Sequence, residues 1–412
     1  MNIWLALIVI FLITTWFLET ILTLLNLRNQ PAQLPKKFAD IYSPDKYQDS
    51  LLYNKATTRC SLLEKTTSTL LSLGFLLLGG FNALDQIARR GGYGEIITGL
   101  LFIGLLLLVF FIIGLPFQLY STFVIEEGFG FNRTTLKTFA EDTIKACLLA
   151  IILGGPFLAA IFWFFLKAGP HAWIYCWLGT TLFSFCLQLL APTLIMPLFN
   201  KFSPLQEGSL KEKISSYVKA QKFSVGGIFT MDGSKRSAKL NAYFTGFGKL
   251  RKIVLFDTLV AKLHEKEIVA VLAHEVGHAK CNHLWKNILL STLHSGLVFF
   301  LLSLGLTQKD FAVAFNMEAS SIYASLFFFS YLLKPMDFII SLFFNSLSRS
   351  HEYEADNYAA KTTGSGAELI SALKKLSQEN YSNLSPHPLY VRFYYSHPPV
   401  RDRIENLERK NA

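Results

Sequence analysis

Long apolar runs alternate with polar stretches along the chain. Apolar residues dominate 3–25, 66–84, 96–117, 146–166, 172–195, 288–306 and 322–347. At 1.5 Å rise per residue, each run is long enough to cross a bilayer as a helix. The first has no basic segment before it and no small-residue cleavage site, so it reads as a retained helix and not a signal peptide. Glu19 lies inside the first run, and Lys334 and Asp337 lie inside the seventh. These charges are expected to face protein or water and not lipid. Pro335 is expected to kink the seventh helix. Residues 28–65 read as a polar loop.

Two stretches break this pattern. Residues 200–287 are mixed and charged, with a helix expected over 210–221, short strands over 226–232 and 252–257, and a helix over 265–282. Residues 348–412 are polar and largely helical between prolines. The chain therefore divides into transmembrane helices 1–5 (1–199), a water-facing segment (200–287), helices 6 and 7 (288–347) and a C-terminal segment (348–412). The fold class is mainly α, a multi-pass membrane protein with a small β-sheet in its water-facing part.

Composition agrees with a membrane protein. Of 412 residues, 51% are hydrophobic and 17% charged, and 37 are Phe. The net charge of +10 does not point to nucleic acid, because the basic residues lie between apolar runs and not on one polar domain. They are also one-sided. Arg28, Lys36, Lys37, Arg133, Lys235, Arg236, Arg251, Arg401 and Arg403 fall on one side of seven spans, whereas Arg89, Arg90, Lys167 and Lys309 fall on the other. The positive-inside rule puts the 200–287 and C-terminal segments together in the cytosol, with the N-terminus outside. The five cysteines show no paired spacing and imply no disulfide framework.

The chemistry concentrates in His274-Glu275-Val276-Gly277-His278. Two histidines four apart share a helix face and make half of a tetrahedral zinc site, and Glu275 beside them can take a proton from a water that the metal activates. Such a motif arises by chance in roughly one chain in a hundred of this length. Here an apolar stripe (Ile268, Val271, Leu272) precedes it and buries its helix, Gly277 leaves room beside the metal, and a second acidic helix lies downstream. That downstream stretch, 349–356, is the source of a third ligand. Glu352 and Asp356 are four apart, so one can ligate while the other orients a ligand histidine. His351 and Glu354 compete on chemistry alone. His283 reads as structural, and His294 lies in a span. Lys262, Glu265, Lys266, Lys280 and Lys286 flank the motif, which argues against a protease that cuts inside transmembrane helices.

The chain resembles the integral-membrane zinc metalloproteases of the CAAX prenyl protease type, which trim prenylated C-termini in eukaryotes and have many bacterial members. The matching pieces are Glu126-Glu127 with Gly130-Phe131-Asn132, Pro197 to Asn200, Asp232 to Ser237, Asn241 to Phe244, Ile253 to Thr258, the 274–278 motif, Ser348-Arg349, Glu352-Tyr353, Ala355-Asp356 and Ser396-His397-Pro398. The resemblance implies seven long helices around a chamber. It implies one Zn2+ per chain held by His274, His278 and Glu352, with Glu275 as general base, Asp356 behind a zinc histidine and His397 at the oxyanion. It also implies Asn241 and Ala242 on an edge strand that pairs with extended substrate, with Arg401 assisting at a substrate carboxylate. Expected partners are a peptide or protein substrate, lipidated or membrane-associated substrates among them, and the bilayer. The compact stretch before the third-ligand helix favours a bacterial member in the inner membrane; a eukaryotic one would sit in the endoplasmic reticulum. The rival reading is a quality-control or scaffold protein with a silent metal site.

Overall fold

A computed structural model of the chain describes residues 2–246, 251–305 and 314–411. Lys309 and the last residue of the sixth apolar run lie outside them. Helices α1 (Ile3–Arg28), α2 (Pro44–Leu77), α3 (Gly80–Arg89), α4 (Glu95–Tyr120), α5 (Leu136–Leu149), α6 (Gly155–Lys167), α7 (Ala172–Leu190) and α8 (Met196–Phe199) come first. Among the described residues six helical segments are long and apolar enough to span a membrane, or seven if α2 and α3, bent by 70° at their junction, count as one. Wider π turns continue α4 to Glu126, join α5 to α6 and join α7 to α8.

The polar stretch 28–65 is not all loop. Ser43 caps α2 by accepting a hydrogen bond from the Lys46 amide at 3.2 Å, and Pro44 sits at the first helical position. The first turns of α2 lie ahead of its apolar run, so they carry polar residues, and they are held by burial of Tyr47, Ser50, Tyr53 and Cys60 along one face. Two of the charges inside the spans have partners. Glu19 pairs with Lys65 at 3.1 Å, and Asp337 lies 3.3 Å from His294. Glu19, Lys334 and Asp337 line one recess together with Asn345.

The water-facing segment is a four-stranded sheet covered by helices. Strands β1 (Phe202–Pro204), β2 (Gly227–Met231), β3 (Ala242–Thr245) and β4 (Lys252–Phe256) stand in the order β1-β2-β4-β3. β2 and β4 are parallel and the outer pairs antiparallel. The continuous apolar run of β4 is explained by its central place, since Ile253, Val254 and Leu255 are each 1% exposed. Helices α9 (Ser209–Ala220), α10 (Asp257–Lys262) and α11 (Glu265–Lys280) pack on this sheet. Ile214, Leu259, Ile268, Leu272 and Val276 share one core with Ile253 and Leu255. Next come α12 (His283–Gly305), α13 (Ile322–Thr363), α14 (Ala367–Glu379), α15 (Pro388–Tyr394) and α16 (Val400–Asn411). α13 runs as one helix of 42 residues, through Pro335, from the seventh apolar run into the acidic segment.

Family-type motif residues join the spans to this segment. Lys239 donates to Tyr53 Oη at 2.7 Å and to Glu126 at 3.0 Å, among the rings of Phe131 and Tyr381. Arg236 forks onto Asp142 at 2.7 and 3.0 Å. Leu255→Ala should open a cavity under α11 and lower stability by about 2–5 kcal/mol. Thermal unfolding of detergent-solubilised protein measures this, and an unchanged midpoint would mean the sheet does not support that helix.

Candidate metal centre and active site

α11 carries the motif, and its sequence fixes both ends. The His264 side chain accepts from the third amide of the helix while Glu267 accepts from the His264 amide at 2.7 Å, a reciprocal cap. Glu265 and Glu267 in the first turn and His278 and Lys280 in the last suit the helix dipole. Ile268, Leu272 and Val276 point to the sheet core, which turns His274, Gly277 and His278 toward α13. There the helices touch at backbone distance. A Cβ on Gly277 would lie 3.0 Å from both Cα and O of Ala355.

Ala355 stands between Glu352 and Asp356, so this contact brings both carboxylates to the histidines. Nε2 of His278 is 3.1 Å from Nε2 of His274 and 3.2 Å from Oε1 of Glu352, and Nε2 of His274 is 3.5 Å from Oε2 of Glu352. These three residues offer converging ligand atoms. Glu352 is 3% exposed. Its Oε2 makes no hydrogen bond of acceptable geometry, although Arg403 Nη1 comes within 3.3 Å. A buried carboxylate oxygen left without a proper donor, beside two imidazole nitrogens, fits a cation and matches the two-His, one-Glu set of catalytic zinc.

Asp356 accepts from His274 Nδ1 at 2.8 Å and is itself gripped by Arg403, at 2.9 Å from Nε and 2.6 Å from Nη2. This orients the ring and frees Nε2 for the ligand cluster. Burial and the Arg403 charge both push the His274 imidazole down, but Asp356 and Glu352 outweigh them and raise its pKa to about 9. Burial opposes the charge on Arg403 as well, yet Asp356 and Glu352 hold its pKa above the ordinary value.

His397, in the C-terminal segment, also reaches the cluster, with Nε2 3.3 Å from Glu352 Oε1 and Nδ1 3.0 Å from Ser396 Oγ. Its side chain is 66% exposed. Burial lowers its pKa, with Glu352 pulling the other way, so the ring is neutral at pH 7 and donates through one N–H. Glu275 lines a recess of about 310 Å³ with His278, Gln188, Trp285 and the Phe244 and Thr245 end of β3. β3 is an edge strand. Ala242 begins it, and the Ala242 amide donates to the Asn241 side chain at 2.9 Å. Arg401 points elsewhere: it is exposed and pairs with Glu405 at 3.0 Å. Arg403, two residues on, is the arginine at the cluster. Sequence reasoning overlooked that role, since nothing in its local spacing separates it from Arg401. His283 is not an isolated structural histidine either, because its Nδ1 lies 2.9 Å from His278 Nδ1.

The fold and site together define a multi-span membrane metallopeptidase. Residues 23–201 match the family model for the CAAX prenyl protease N-terminal region with five membrane helices, and residues 204–411 match the model for peptidase family M48. The chain belongs to peptidase family M48. It is 35% identical over 407 residues to the CAAX prenyl protease 1 homolog of Arabidopsis thaliana, covering 97% of this chain and 96% of that one. It is 34% identical over 406 residues to CAAX prenyl protease 1 of Saccharomyces cerevisiae, covering 91% and 88%. The crystal structure of S. mikatae Ste24p superimposes with a TM-score of 0.92 at 33% identity over 98% of both chains. The chain is a hydrolase that cleaves peptide bonds in peptide or protein substrates.

Two outcomes test the geometry. Gly277→Ala should drive α11 and α13 apart and weaken metal binding about 5- to 100-fold, since overpacking of this kind costs about 1–3 kcal/mol. Zinc content after dialysis against a chelator reads this, and wild-type retention would show that the contact does not set the ligands. Metal affinity should rise about tenfold per pH unit from pH 6 to 8, because a cation ligated by His274 must displace the proton it holds below pH 9. A flat profile over that range would mean His274 enters the site unprotonated.

Proposed function

We propose that the metal is a single zinc ion held by His274, His278 and Glu352, and that the enzyme cuts peptides near the membrane surface on its cytosolic side. The observation that carries this reading is the shared recess: Glu275 and His278 line it together with the edge strand β3. An extended peptide added to that edge would lay its backbone past the general base. Asn241 and Ala242, at the start of β3, are the first main-chain contacts for it. Arg401, exposed on α16, remains available to a substrate carboxylate only if it leaves Glu405.

Zinc, when bound, acidifies water and polarises the scissile carbonyl. Glu275 accepts the proton of the attacking water and returns it to the leaving amine. His397 donates its N–H to the oxygen that gains charge. Asp356, steadied by Arg403, keeps His274 in one tautomer.

The relatives are named for prenylated substrates, and the placement of the site suits a lipidated or membrane-associated peptide. Glu352 lies five residues past the seventh apolar run on the same helix, roughly 8 Å along its axis at 1.5 Å per residue. The excess of Lys and Arg on this side supports a cytosolic orientation. The division at residues 199, 287 and 347 describes function and not folding units, because α13 passes through the last boundary unbroken.

Glu275→Gln should keep one zinc per chain and lower the hydrolysis of a reporter peptide by about 10²–10⁴-fold. Zinc content and turnover of prenylated and unprenylated peptides, with and without a chelator, measure this. Retained turnover in Glu275→Gln would refute the role of the base, and equal cleavage of both peptides would remove the lipid from substrate recognition.

A further inference from the structure

His283 begins α12 with its ring between two groups. Nδ1 is 2.9 Å from His278 Nδ1, and Nε2 is 3.0 Å from Glu354 Oε2. Cys281, half-buried in the turn after α11, completes a trio. A ligand atom from each of Cys281, His283 and Glu354 lies within 4.8 Å of the others. Thiolate, imidazole and carboxylate are all donors that zinc accepts, and the thiolate favours soft divalent cations. Solvent can reach the trio, because the Glu354 side chain is 47% exposed. A second observation marks the same place. The ring of His351 stacks on His283 with centroids 4.0 Å apart, it is 3% exposed, and neither of its nitrogens has a hydrogen-bond partner. The polar groups gathered here exceed those that the protein satisfies.

We propose that Cys281, His283 and Glu354 form a second metal site for a thiophilic divalent cation such as Zn2+ or Cd2+, and that filling it inhibits the peptidase through His278. The proposal rests on the reading of His278 as a zinc ligand. With Nε2 of His278 turned to the catalytic cluster, its neutral ring carries the proton on Nδ1 and donates to His283 Nδ1. His283 then carries its own proton on Nε2 and donates to Glu354. This chain of two imidazoles and a carboxylate holds the His278 ring in place, as carboxylate partners do for ligand histidines generally.

A cation on His283 breaks that chain. Cys281 releases its thiol proton to solvent as the metal–sulfur bond forms, and the His283 proton moves from Nε2 to Nδ1 so that Nε2 can ligate. One proton leaves per cation bound. Two N–H groups then face each other at a separation that holds one hydrogen bond, and His278 loses its acceptor. Lys286, whose Nζ is 3.8 Å from Glu354 Oε2, is the group the cation displaces, and its half-exposed side chain can swing into solvent.

The test uses the purified full-length enzyme carrying one zinc. A second equivalent of Zn2+ should bind and lower turnover at least about tenfold, in line with the 10–100-fold effect of losing a partner behind a ligand histidine. Cd2+ should produce a thiolate-to-metal absorption band in the ultraviolet. Cys281→Ser should keep the basal rate and the first zinc, lose the band, and need at least about tenfold more free Zn2+ for equal inhibition. Glu354→Gln, whose amide oxygen still accepts from His283, should shift inhibition in the same direction if the serine variant does not fold. Inhibition of Cys281→Ser at the wild-type Zn2+ concentration overturns the site, and a full Cd2+ band without loss of turnover overturns the coupling. Absence of the first zinc from the wild type would instead refute the catalytic reading, and the band reports separately from it.

Discussion

The active centre depends on one close contact, the approach of α11 to α13 at Gly277 and Ala355. Helices whose facing side chains are larger pack with axes 8–10 Å apart, set by those side chains. Here the missing Cβ lets one backbone lie against the other, with a Cβ position only 3.0 Å from the Ala355 backbone. His274 and His278 flank Gly277 on α11, and Glu352 and Asp356 flank Ala355 on α13. The contact therefore presses two imidazoles onto two carboxylates at 2.8–3.5 Å. The opposite face of α11 fixes its rotation, because Ile268, Leu272 and Val276 are committed to the sheet core.

Electrostatics follow from this geometry. Buried carboxylates are costly unless they are paired. Asp356, fully buried, is matched by the two-pronged Arg403. Arg403 thus neutralises the carboxylate behind His274 and leaves Glu352 as the carboxylate that faces both imidazoles. A divalent cation held there would be balanced by Glu352 and by the neighbouring Glu275, whose charge also reaches Arg403.

Much of this was legible in the chain. The spans showed because lipid demands unbroken apolar runs, and β4 showed because a central strand is apolar on both faces. The metal motif showed because a helix repeats every 3.6 residues, so the spacing of His274 and His278, and of Glu352 and Asp356, is a statement about one face. What stayed hidden depends on tertiary contact. The early turns of α2 were lost because protein burial, not lipid, holds them, and Tyr47 and Tyr53 look like any polar-loop tyrosines. Arg403 and Arg401 differ only in which face of α16 meets Asp356. His283 looked structural because its partners, His278 and Glu354, meet it only after α11, α12 and α13 have packed.

The length of α13 joins these levels. Its first part crosses the apolar layer and its last turns carry Glu352 and Asp356, with no loop between. A hydrogen-bonded helix transmits position with little slack, so the depth of the span sets the depth of Glu352 and Asp356. α11 does not cross the membrane; the sheet and Gly277 position it, and they adjust to α13. A His and Glu cluster built on such a helix is held at a height that the apolar run fixes, a constraint that a cluster carried by the sheet alone would lack.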